Sequence, residues 1–63
     1  MALYSEEIFL EAGSTEGDAI RVLETLAREQ GIIMSVLVVD YAGETGEEDI
    51  FEITYEADRE IDY

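Results

Sequence analysis

The chain contains no cysteine and no histidine, and its three basic residues are all arginine: Arg21, Arg28 and Arg59. The first two absences exclude disulfides, thiol chemistry and zinc sites built on Cys or His. No apolar run approaches the ~18 residues needed to cross a bilayer. The start, "MALYSEEIFL", has no basic signal region. The expectation is a soluble, intracellular protein. At 63 residues it should form a single domain spanning 1–63, near the lower limit for folding without a covalent or metal staple. Its hydrophobic fraction of 48% is that of a globular chain, not a disordered one.

What the chain has in excess is negative charge. Seventeen Asp and Glu against three Arg give a net charge of -14. A domain of this length should have a radius of gyration of about 11 Å, hence a diameter near ~27 Å. Duplex DNA carries one charge per ~1.7 Å of axis, so ~27 Å of it holds about 16 charges. The chain therefore carries nearly the charge of an equal length of DNA. Such a field opposes folding by self-repulsion and excludes nucleic acid and anionic membrane as direct partners. A basic protein surface is the partner it fits.

Periodicity gives the element order β-α-β-β. "SEEIFLEAG" reads as a strand of about six residues, with Ile8 and Leu10 on one face and Glu7, Phe9 and Glu11 on the other. "STEGDAIRVLETLAREQG" reads as a helix. Thr15 and Asp18 have capping-box spacing, Ser14 is a competing N-cap, and Gly31 stops the helix. Its apolar stripe is Ala19, Ile20, Val22, Leu23, Leu26 and Ala27. "IIMSVLVVDY" is apolar at nearly every position, the pattern of a central strand covered on both faces. After the turn "AGETGEED", the end "FEITYEADREIDY" alternates without interruption. The fold class expected is α+β, a two-layer domain with one helix on a three- or four-stranded sheet. The first two strands should be parallel and the last two an antiparallel hairpin. The helix should cover Ile8, Leu10, Phe51, Ile53 and Tyr55.

Two features exceed a simple two-layer monomer. The apolar central strand, with Phe9 and Ile50, leaves apolar side chains on the face opposite the helix, as an interface would. A strand from 50 to 63 would also span roughly 46 Å, longer than the domain. Either the chain bends near Ala57-Asp58, or its end pairs with another copy. A homodimer through the open face or through the Arg59–Tyr63 ends is therefore an expectation.

Little in the sequence points to catalysis. No nucleophile has an activating base, and with so many acids a carboxylate pair arises by chance. The acidic turn lacks the calcium-loop pattern, so no metal or cofactor is expected. The acidic residues themselves are the candidate site. Residues 44 to 63 hold nine of them (Glu44, Glu47, Glu48, Asp49, Glu52, Glu56, Asp58, Glu60, Asp62) with Arg59 alone opposing. Alternate strand carboxylates would repeat every ~6.6 Å along one face. Glu7 and Glu11 on the first strand should share the side of Glu52 and Glu56, forming a second acidic row.

In size, charge, absence of lysine and β-α-β-β order, the chain resembles the small acidic DNA-mimic inhibitors encoded by phages, among them anti-CRISPR and anti-restriction proteins. No sequence motif accompanies the likeness, so no residue role is carried over. The resemblance implies a non-enzymatic inhibitor in the cytoplasm of an infected bacterium. Its acidic face would occupy the DNA-binding surface of a basic nucleic-acid-binding protein, such as a Cas subunit of a DNA-recognition complex. Two other readings fit the composition: adaptation to high salt, and an antitoxin-like module that pairs with a basic protein.

Overall fold

The computed structural model describes residues 1–63. Strand β1 (Ala2–Glu11) is followed by helix α1 (Glu16–Glu29) and then by the hairpin of β2 (Met34–Glu44) and β3 (Glu48–Ala57). One helix packs on a three-stranded antiparallel sheet of order β1-β3-β2. The radius of gyration is 11.3 Å, and the molecule is elongated at 35 × 19 × 16 Å.

Local signals account for the helix ends. Thr15 is the N-cap: its hydroxyl accepts from the Asp18 amide at 3.2 Å, and the Asp18 carboxylate accepts from the Thr15 amide at 2.9 Å. Two of the helix's unpaired N-terminal donors are thereby satisfied. Hydrogen bonding from Thr15 holds the Asp18 carboxyl below its ordinary value. The competing Ser14 instead donates to the Glu11 carbonyl. At the other end Gly31 takes φ +69°, a left-handed conformation that reverses the chain at little cost only for glycine.

The core lies between α1 and one face of the sheet. Ala19, Leu23 and Ala27 of the helix meet Ile8, Phe51, Ile53, Tyr55 and Ala57, with Ile32 and Ile61 closing the cluster. Leu10, Ile20, Val22 and Leu26 are half-buried at its margin. The helix covers the strand residues expected of it.

Strand order departs from expectation. β1 and β2 do run in the same direction, but β3 lies between them and pairs antiparallel with both. The centre is taken by β3, which supplies four alternating buried residues, and not by the apolar run of β2. β2 is an edge strand without a single fully buried residue. A register shift between Val36 and Val38 leaves Leu37 unpaired in a bulge. Val36 and Val39 then face the helix while Val38 faces away. The run "VLVV" thus reflects a change of face at a bulge, not burial on both sides. Strand β1 is longer than its sequence pattern suggests, because Ala2 to Tyr4 continue the ladder opposite Ala57 to Tyr55.

The C-terminal alternation ends as a strand at Ala57, and the chain bends there. Residues 58–63 return across the end of α1. Ile61 is buried in the chain's own core, and its amide donates to the Tyr55 hydroxyl at 2.9 Å. The Gln30 side chain accepts from the Asp62 amide at 2.8 Å and donates to the Asp62 carbonyl at 2.7 Å. Arg59 donates to the Gln30 carbonyl. Of the two ways to accommodate the long alternation, bending is the one adopted. Residues 59–62 are therefore held by contacts within their own chain.

Candidate binding face of the sheet

Alternation and register decide which side chains share the sheet face away from α1. On β1 these are Leu3, Ser5, Glu7, Phe9 and Glu11; on β3 they are Glu48, Ile50, Glu52, Thr54 and Glu56. β2 adds Ser35, Val38 and Asp40. The face is built in cross-strand rows. Glu11 lies opposite Glu48. Phe9 lies opposite Ile50 in the next row. The third row is Glu7, Glu52 and Asp40, three carboxylates directly across three strands. Ser5, Thr54 and Val38 follow, and then Leu3, Glu56 and Ser35.

Cross-strand neighbours have Cβ atoms about 4.5–5.5 Å apart, a distance at which like charges destabilise a sheet. No counter-ion relieves them. Strands β1, β2 and β3 contain no basic residue; Arg21 and Arg28 are on α1 and Arg59 is in the terminal segment. The only ion pair is Arg21–Asp18, at 3.3 Å on the exposed side of the helix. Six carboxylates (Glu7, Glu11, Asp40, Glu48, Glu52, Glu56) therefore share this face unpaired. No three acidic side chains are grouped closely enough to hold a metal ion.

The sequence-predicted acids divide into three groups. Glu7, Glu11, Glu52 and Glu56 lie together on the open face as expected, and Glu48, expected in the turn, joins them as the first residue of β3. Glu44 and Asp49 point to the helix side at the hairpin end, and Glu47 is in the turn. Asp49 has local partners: it accepts from the Gly13 amide at 2.9 Å and from the Tyr41 hydroxyl at 3.0 Å. The bond to Asp49 pushes the Tyr41 hydroxyl above its ordinary pKa. Asp58, Glu60 and Asp62 lie beyond the end of β3 and do not continue its row. The expected ~6.6 Å repeat along one strand is consequently absent. Glu48, Glu52 and Glu56 are four residues apart, about 13 Å at the usual strand rise.

Asp40, which is not among the acids expected from the sequence, completes the three-carboxylate row. Its face depends on the bulge at Leu37, which strict alternation does not reveal. Glu6 is a second surprise, because it faces the helix side beside the core. It accepts from the Tyr55 hydroxyl at 3.3 Å. Burial, with repulsion from Glu60, pushes its carboxyl above the ordinary range, and burial likewise raises the Tyr55 hydroxyl.

Apolar side chains interrupt the acidic rows. Phe9 is 42% exposed, Val38 49% and Leu3 64%, while Ile50 is half-buried. Comparison with family models, with curated proteins and with solved structures found no match to this chain.

Proposed function

We propose that this protein is a non-enzymatic DNA mimic whose open sheet face occupies the DNA-binding surface of a basic protein. A CRISPR-Cas or other host defence complex is the class of target its resemblance implies. The observation that carries the reading is the unpaired six-carboxylate face on strands without a single basic residue. From Glu48 to Glu56 this face runs about 26 Å along β3. Duplex DNA of that length carries ~16 phosphates, about half of them on the side presented to one partner. Six carboxylates on one side are of the same order. The sheet fixes their backbone positions, so the ordering entropy lost on docking is that of the side chains alone.

The distribution of charge also bears on the high-salt alternative. Adaptation to high salt would spread acids over the whole surface. Here the outer side of α1 mixes Glu16, Glu24 and Glu29 with Arg21 and Arg28, whereas the open face is of one sign. Localisation of that kind favours a partner over general hydration.

The experiment is competition. The partner is captured from bacterial lysate at low salt, and its affinity for labelled duplex DNA is measured as this protein is added. Mimicry raises the apparent Kd for DNA in proportion to the added protein, and the effect fades toward 0.5 M salt as screening shortens to a few ångströms. A ternary complex of partner, DNA and this protein would overturn the reading. A protein that folds only in molar KCl would point to salt adaptation instead.

A further inference from the structure

We infer that the open face docks through an apolar anchor as well as through charge, the Phe9–Ile50 pair seating in an apolar recess flanked by two rows of Arg or Lys on the partner protein. This inference rests on the function proposed above and specifies the partner of the same face. Phe9 and Ile50 lie directly opposite one another on β1 and β3. The Glu11–Glu48 pair flanks them on one side and the Glu7–Glu52–Asp40 row on the other, each about 6.6 Å away along the strands. Phosphate mimicry alone asks for no apolar side chain there, and the core does not use this one: Phe9 points away from α1 and is 42% exposed.

An aromatic and an aliphatic side chain enclosed by charged residues have the layout of an interface centre with a polar rim, in which the centre supplies most of the affinity. Charge complementarity identifies the occupant. A second copy would set six carboxylates against six, and each copy carries a net charge of -14. A basic protein neutralises both acidic rows while its apolar recess buries the anchor. The charge contribution weakens as salt rises, and the apolar contribution does not.

The test uses two peptide amides of equal charge: acetylated hexalysine, and an acetylated ten-residue peptide of the same six lysines interspersed with four leucines. Each is titrated into the ¹⁵N-labelled full chain at 20 and 150 mM salt. Both should shift amides of β1, β2 and β3 more than those of the outer side of α1. At 150 mM salt the leucine-containing peptide should bind at least tenfold tighter than hexalysine. Phe9→Thr should reduce that ratio below threefold, and Ile50→Thr should act in the same direction as an independent check. Hexalysine affinity should be unchanged in both variants. If hexalysine binds the face and leucine adds nothing, or if its advantage survives both substitutions, the anchor is wrong while the charge reading stands. If neither peptide shifts the face, or both shift α1 instead, the anchor and the proposed function fall together.

Discussion

The two faces of the sheet use the same three strands and alternate residues of one sequence, yet they resolve opposite physical problems. On the helix side, Ile8, Phe51, Ile53 and Tyr55 are buried, and no buried side-chain polar atom lacks a partner. The hydroxyl of the buried Tyr55 donates to Glu6 and accepts from Ile61. On the open side, the carboxylates of Glu7, Glu52 and Asp40 lie in one row with no cation. One face is optimised for folding, and the other retains repulsion that folding must overcome. Retained frustration of this kind is expected where a surface serves a partner rather than the fold.

The contrast is broken most severely from the helix side. Leu23→Ala should cost about 2–5 kcal/mol, because a fully buried leucine at the helix-sheet junction leaves a cavity. For a domain this small that cost is comparable to its whole stability. Phe9→Thr on the open face should change stability less, by about 1 kcal/mol or under, the worth of its one cross-strand pair with Ile50. Urea denaturation of the two variants followed by circular dichroism compares the faces directly.

A smaller effect is expected at the hydroxyl that ties the terminal segment to the core. Tyr55→Phe leaves the Ile61 amide without its partner and Glu6 without a donor, at a cost of about 1–3 kcal/mol. Amide exchange should accelerate first at residues 61–63, before the sheet is affected. Uniform acceleration throughout the chain would mean that this segment is not a separately docked element.

On the open face the sign reverses. Glu52→Gln removes the middle charge of the row and should stabilise the fold by about 0.2–1 kcal/mol, more at low salt than at high. Acidification should reveal the same asymmetry. The Glu6 carboxyl is raised in the folded protein, so the folded state takes up its proton first. Its contribution to stability is lost as pH rises through that raised value and is fully present below the unfolded value. Asp18, lowered by its capping bonds, contributes in the opposite sense: its stabilisation is present above the unfolded value and is lost as pH falls further. Thermal stability should therefore rise as pH falls through the raised Glu6 value toward the ordinary carboxylate range, and fall again at still lower pH as Asp18 takes up its proton. Glu6→Gln should flatten the rise, which a melting series from pH 3.5 to 7.5 would register.

Features fixed by near neighbours were readable in the sequence. The Thr15–Asp18 cap, the Gly31 stop, the helix stripe and the alternation of β3 through Ala57 each depend on residues a few positions apart. Strand order did not have that property, since the central place of β3 follows from pairing with both β1 and β2 across the chain. The bulge at Leu37 hid the face of Asp40 for the same reason. The alternation past Ala57 was real as a pattern and misleading as a strand. Ile61 is apolar because it plugs the core beside Tyr55, and Gln30, thirty-two positions away from Asp62, holds it there. Of the candidate site, the shared face of Glu7, Glu11, Glu52 and Glu56 is legible because β1 and β3 alternate cleanly, whereas Glu48 stands in a stretch that its glycines mark as a turn. Asp58, Glu60 and Asp62 were assigned to the row by a periodicity that the bend at Ala57 ends.

Two triple neutralisations of equal charge separate the proposed mimicry by one face from an effect of bulk acidity. Glu7→Gln, Asp40→Asn and Glu52→Gln clear the central row of the open face; Glu16→Gln, Glu24→Gln and Glu29→Gln remove three charges from α1. Each set changes the net charge from -14 to -11. The measurement is the concentration of each variant needed to displace duplex DNA from the captured partner at 50 mM salt. The open-face set should require at least ten times more protein than the unsubstituted chain, and the helix set less than three times more. Equal losses from the two sets would mean that bulk acidity, not the open face, carries the binding.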